Sequence, residues 1–131
     1  MSNRRSIEIE GLHHGGAPIP QACLVGPLLV SSGILGQDPA GGRVPEDLTE
    51  QVAHVFANIG RVLDAAGGSV ADIAKLTFFV RDRASREAIN AEWLRMFPDP
   101  ADRPARHTLV QELPPTIHVQ CELIAYLGGV S

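Results

Sequence analysis

Cysteine is scarce: Cys23 and Cys121 are the only two in 131 residues, far apart and in no CxxC or Cys/His ligand spacing. Neither a disulfide framework nor a zinc site is indicated, and a reducing cytoplasm is the natural setting. Long apolar runs are missing as well. No segment approaches the roughly 20 apolar residues of a membrane span, and Met1 to Glu10 holds no signal core. Nor is there a basic stripe. The eleven Lys and Arg are dispersed in a chain of formal net charge −4, so generic attraction to nucleic acid is weak. Aromatics are few, which leaves a core of Val, Leu, Ile and Ala. The length is that of a single domain spanning 1–131.

Hydrophobic periodicity orders what is present. Residues 5–9 alternate around Ile7 and Ile9, and Cys23-Leu24-Val25 and Leu28 to Ser31 flank Gly26-Pro27 as a hairpin. Val52, Val55, Phe56, Ile59, Val62, Leu63 and Ala66 form one helical stripe. Asp47 and Glu50 supply the start of that helix, and Gly67-Gly68 its left-handed stop. Gly60 inside it costs about 1 kcal/mol against Ala, so close packing against a strand is the expected compensation. Ile73 to Arg81 reads as a strand. A second helix follows, with Ser85 as cap and Ile89, Trp93, Met96 and Phe97 as its buried stripe. Pro98, Pro100 and Pro104 force an extended loop, and strands near 106–112 and 118–127 close the chain. The order β-β-β-α-β-α-β-β gives an α+β fold in which two helices cover one face of a six-stranded sheet. The other face calls for burial by identical subunits in a closed ring.

Arg106 and Glu122 carry the chemistry that the sequence suggests. Strand alternation puts Arg106, Thr108 and Val110 on one side, and Gln120, Glu122, Ile124 and Tyr126 on one side of the next strand. If these strands are neighbours, or meet across a subunit boundary, a guanidinium fork and a carboxylate share a space. The fork suits a substrate carboxylate, while the glutamate handles a water. An ion pair without chemical role is the plainer alternative.

Arg103-Pro104-Ala105-Arg106, Leu113-Pro114-Pro115 and Val119 to Ala125 together resemble the C-terminal signature of the RidA (YjgF/YER057c/UK114) superfamily. Ser31-Ser32-Gly33-Ile34, Asn58-Ile59, Leu63 to Gly68, Asp72 to Val80, and Asn90 with Trp93 and Phe97 resemble its earlier segments, from about Pro20 onward. The resemblance implies a chorismate-mutase-like fold, a homotrimer with a central barrel, and clefts between subunits. It implies an enamine or imine deaminase that releases ammonia from a small carboxylate-bearing substrate without cofactor or metal. Arg106 is then the carboxylate clamp and Glu122 the water-activating group, with Ser32, Gly33, Thr108, Gln21 and Asn90 lining the cleft. Asn90 reads equally well as a polar position on its helix.

Two positions depart from the family pattern. Pro20-Gln21 stands where active deaminases carry tyrosine after Gly-Pro, and Thr108 where they carry cysteine, so a ring wall and a phenol are missing. The alternatives are a trimer that binds small carboxylates or client proteins without catalysis, and an endoribonuclease. The acidic balance and the absence of a His pair at acid/base spacing oppose the ribonuclease. His107 alternates with Arg106 and reads as structural, as does Cys121 as a small core residue. His13-His14 reads as a solvated loop pair, or as one that reaches the cleft.

Overall fold

The computed structural model describes residues 3–128. Six strands, β1 (Arg4–Ile7), β2 (Ala22–Val25), β3 (Leu28–Ser31), β4 (Ile73–Val80), β5 (Ala105–Val110) and β6 (Val119–Tyr126), form one mixed sheet with two helices, α1 (Leu48–Ala66) and α2 (Arg86–Met96). The strand order is β1-β2-β3-β6-β4-β5, with β4 and β5 parallel and every other pair antiparallel. This is the expected α+β order. No helix among the described residues is long and apolar enough to cross a membrane.

The stripe on α1 is the main source of the core: Val52, Val55, Phe56, Ile59, Val62 and Leu63 are all buried. They meet the inward residues of the sheet, Leu29, Leu76, Phe78, Val80, Cys121, Leu123 and Ala125. Asp47 caps α1 by accepting from the Glu50 amide at 3.0 Å, and Gly67 ends it at φ +83°. Gly60 differs from expectation, because a β-carbon there would meet nothing within 4 Å. It faces space, not a strand.

The second helix also starts differently. Ser85 is buried and its side chain makes no capping bond. Asp82 instead accepts from the Ala84 amide at 2.9 Å and opens a short 3-10 turn, Arg83–Ser85, that leads straight into α2. Trp93 and Phe97 meet in a tilted pair at its far end, 4.7 Å between ring centroids.

Two polar side chains pin the loops. Gln51, fully buried on α1, donates to the carbonyls of Pro45 and Thr116 at 2.8 Å and accepts from the His118 amide at 2.7 Å. Arg81, just past β4, donates to the carbonyls of Leu113, Pro114 and Ile117. Backbone groups that a proline-rich loop cannot pair in a ladder are satisfied this way.

The far face of the sheet carries Leu28, Val30, Leu109, Ile124 and Tyr126, all exposed, with Tyr126 at 62 %. Their register, Val30 beside Ile124 and Leu28 beside Tyr126, makes these four contiguous, while Leu109 lies in a separate row through Phe79 to Gln120. Neither helix covers them.

Candidate functional site

The site residues fall into two groups, one on each face of the sheet. Arg106 lies on β5, the edge strand, in register with Leu76 of β4. Registered residues share a face, so its side chain turns to the helix side. There it packs over the Phe78 ring at 5.7 Å and the Trp93 ring at 5.2 Å, and its Nε donates to Thr108 Oγ1 at 3.4 Å. The terminal nitrogens donate to no acceptor among the described residues, and no carboxylate pairs with them. Burial, and then the charge of Arg86, lower the pKa of this guanidinium from its ordinary value. Two rings thus hold the fork from behind while its front stays free.

Glu122 does not join it. The sequence left open whether β5 and β6 are neighbours; they are not, because β4 lies between them. Glu122 registers with Thr77, whose other neighbour is His107, so Glu122, Thr77 and His107 form a row on the uncovered face. Within one chain Arg106 and Glu122 point to opposite faces, and neither a shared pocket nor an ion pair joins them. His107 is indeed opposite to Arg106, as alternation required.

The second group gathers behind β3. Ser32 donates through Oγ to the Pro20 carbonyl at 2.8 Å and through its amide to the Gln21 carbonyl at 2.9 Å. Its hydroxyl proton is therefore engaged, leaving only lone pairs to offer. Gly33 accepts at its carbonyl from a ring nitrogen, Nε2, of His14 at 2.9 Å, in the tautomer protonated there. Gln21, only 4 % exposed, reaches His14 Nδ1 with its side-chain amide at 3.4 Å. Gly33 lies against the end of the Gln120 side chain: an added β-carbon would lie 2.2 Å from Gln120 Nε2, and the amide would have to swing away.

Residue reasoning missed Gln120, although the alternation that placed Glu122 on the uncovered face places Gln120 there too. Of the two readings of His14, the structure favours the one in which this half-buried loop residue reaches other segments, Gly33 and Gln21. Asn90 is exposed on α2 and makes no side-chain hydrogen bond among the described residues. Cys121 is fully buried, and burial followed by the neighbouring Glu122 raises its thiol well above the ordinary value. No cluster of three or more His, Cys, Asp or Glu suited to a metal ion occurs among the described residues.

The endoribonuclease L-PSP family model matches residues 16–127. The chain belongs to that family, within the RidA superfamily. A 2-iminobutanoate/2-iminopropanoate deaminase of Salmonella typhimurium is 32% identical over 123 residues, 92% of this chain and 96% of that protein. A RutC family protein of Haemophilus influenzae is 36% identical over 111 residues, 82% of this chain and 85% of that one. The crystal structure of RidA from Psychrobacter sp. PAMC 21119 superposes with a TM-score of 0.84 at 30% identity, covering 94% of this chain and 99% of that one. The chorismate-mutase-like fold of the superfamily is the fold of this chain.

Proposed function

We propose that this member of the RidA superfamily is an enamine/imine deaminase acting on small carboxylate-bearing substrates. The single observation that carries the reading is Arg106: a half-buried cation stacked on two rings, its front nitrogens without an acceptor among the described residues. Such a fork is prepared for a planar anion. The chemistry asked of the site is modest. An enamine tautomerises to its imine, water adds to the imine carbon, the carbon–nitrogen bond of the carbinolamine breaks, and ammonia leaves a keto acid. Such imines hydrolyse unaided, so positioning and proton transfer suffice, and the proposal invokes neither metal nor cofactor.

Because the two groups of candidate residues lie on opposite faces, the complete site needs two copies of the chain. The contiguous apolar patch on the uncovered face supports association into a homotrimer with inter-subunit clefts. In that assembly Arg106 and Thr108 of one protomer clamp the substrate, with Asn90 alongside. Ser32, Gly33 and Gln21 of another form the opposing wall, and Glu122 activates the water. An amide cannot change protonation state, so the proton carrier is Glu122, with Gln120 orienting the water beside Gly33. The protein works in the reducing cytoplasm.

The test is a coupled assay in which an amino-acid oxidase generates 2-iminobutanoate and ammonia release is followed with and without the protein. Acceleration that disappears in Arg106→Ala supports the reading. Binding of the product keto acid with no acceleration of ammonia release makes the protein a carboxylate-binding trimer instead. Glu122→Gln, which preserves shape but not ionisation, separates Glu122 from Gln120 as the water-activating residue.

A further inference from the structure

His14 bonds two residues of the wall that faces the clamp in the proposed assembly. Its Nε2 lies 2.9 Å from the Gly33 carbonyl oxygen, and its Nδ1 lies 3.4 Å from the side-chain nitrogen of Gln21. A carbonyl oxygen can only accept, so Nε2 carries the proton. In the neutral ring Nδ1 is then left as an acceptor. The Gln21 amide therefore turns its NH2 to His14 and its oxygen, Oε1, away from it, and the two ends cannot change places without losing this bond.

That oxygen is not satisfied elsewhere. Gln21 is almost wholly buried, yet Oε1 accepts no hydrogen bond among the described residues. No buried side-chain oxygen or nitrogen among those residues lacks a partner, so Oε1 reaches the surface and is not sealed in the core. It is an acceptor held in a fixed direction and left open. Gly33, bonded to the same ring, lies against the end of the Gln120 side chain, and Gln120 shares its side of β6 with Glu122. Contact by contact, His14 is joined to the face that carries the water-activating group.

Resting on the deaminase reading, we propose that His14 is a positioning residue, which holds the Gln21 amide so that Oε1 accepts from the nitrogen of the substrate. The enamine, the imine and the iminium ion all carry N–H at that atom. An acceptor there favours the protonated iminium, the form to which water adds most readily. The bonds made and broken remain those of the hydrolysis described above: Gln21 contributes an acceptor and exchanges no proton, and His14 acts only through Gln21.

Two amide substitutions separate the two ring nitrogens. In His14→Asn the side-chain oxygen takes the place of Nδ1 and still accepts from Gln21, whereas in His14→Gln the side-chain nitrogen takes the place of Nε2 and still donates to Gly33. With 2-iminobutanoate in the ammonia assay, His14→Gln is expected to lower kcat about tenfold, the scale of one hydrogen bond lost in the transition state. KM should change little, because the carboxylate clamp is untouched. His14→Asn is expected to recover most of kcat. Equal losses, or the reverse order, overturn the proposal, since a histidine that only ties its loop to Gly33 needs the Nε2 donor. If either amide variant does not fold, His14→Ala and Gln21→Met decide: the double variant should lose no more kcat than either alone, and losses that multiply overturn the proposal. If the wild-type protein accelerates ammonia release from no imine, the deaminase reading fails instead. The nitrogen-15 chemical shifts of His14 then decide the pair by themselves: a proton on Nε2 with Nδ1 bare sustains the orientation of Gln21, and a proton on Nδ1 ends it.

Discussion

Arg81, just past the end of β4, and Arg106, on its parallel neighbour β5, are used by the molecule in opposite ways. Arg81 directs its donors to three carbonyls of the 113–117 loop. Arg106 is stacked on Phe78 and Trp93, contributes one long bond to Thr108, and leaves its front nitrogens without an acceptor among the described residues. A guanidinium surrounded by carbonyls holds the chain together. One that is desolvated and left incomplete does little for folding and is poised for a ligand. Arginine content alone does not distinguish the two; the neighbours do.

The sharpest way to break this contrast is to truncate each arginine in turn. Arg106→Ala should lower kcat/KM for ammonia release by about two orders of magnitude, the scale of losing a charge-assisted clamp. Its effect on denaturant stability should be about 1 kcal/mol, since half-buried cation–π contacts and one long hydrogen bond are lost. Arg81→Ala should do the reverse, destabilising the fold by about 2 kcal/mol as three loop carbonyls lose a charged donor. Any loss of activity should then follow only from unfolding. Equal stability losses for the two variants would erase the distinction.

Gln51 extends the same comparison to a neutral group. Gln51→Ala should cost about 2 kcal/mol in chemical denaturation, because it strands two carbonyls and an amide in a buried place. The smallest effect is expected at Gly60. With nothing within 4 Å of an added β-carbon, Gly60→Ala should stabilise the protein by about 1 kcal/mol without changing activity. A destabilised variant would show that the glycine answers a packing need after all.

Much of this architecture was legible in the chain. The α1 stripe, its Asp47 cap and its Gly67 stop rest on contacts within a few residues, and all three are found in place. Strand alternation correctly assigned the sides of Arg106, His107, Glu122 and Cys121. Less legible were features that depend on what another segment brings. Ser85 looks like a cap, yet Asp82 starts the turn before it. Gly60 looks like a close approach, yet no strand arrives there. For the loop pair His13-His14 two readings stood open, and the contacts of His14 with Gly33 and Gln21 chose between them.

The local pattern of apolar and polar residues therefore determined the elements, their order and the facing of each side chain on its own strand. It could not determine which strands are neighbours. Only the tertiary structure inserted β4 between β5 and β6, sent Arg106 and Glu122 to opposite faces, and brought Gln120 against Gly33. The physical reason is that periodicity records which side of a strand is buried, a property of consecutive residues. Strand order is decided by the packing of segments distant in sequence, and a chemical site inherits its geometry from that order.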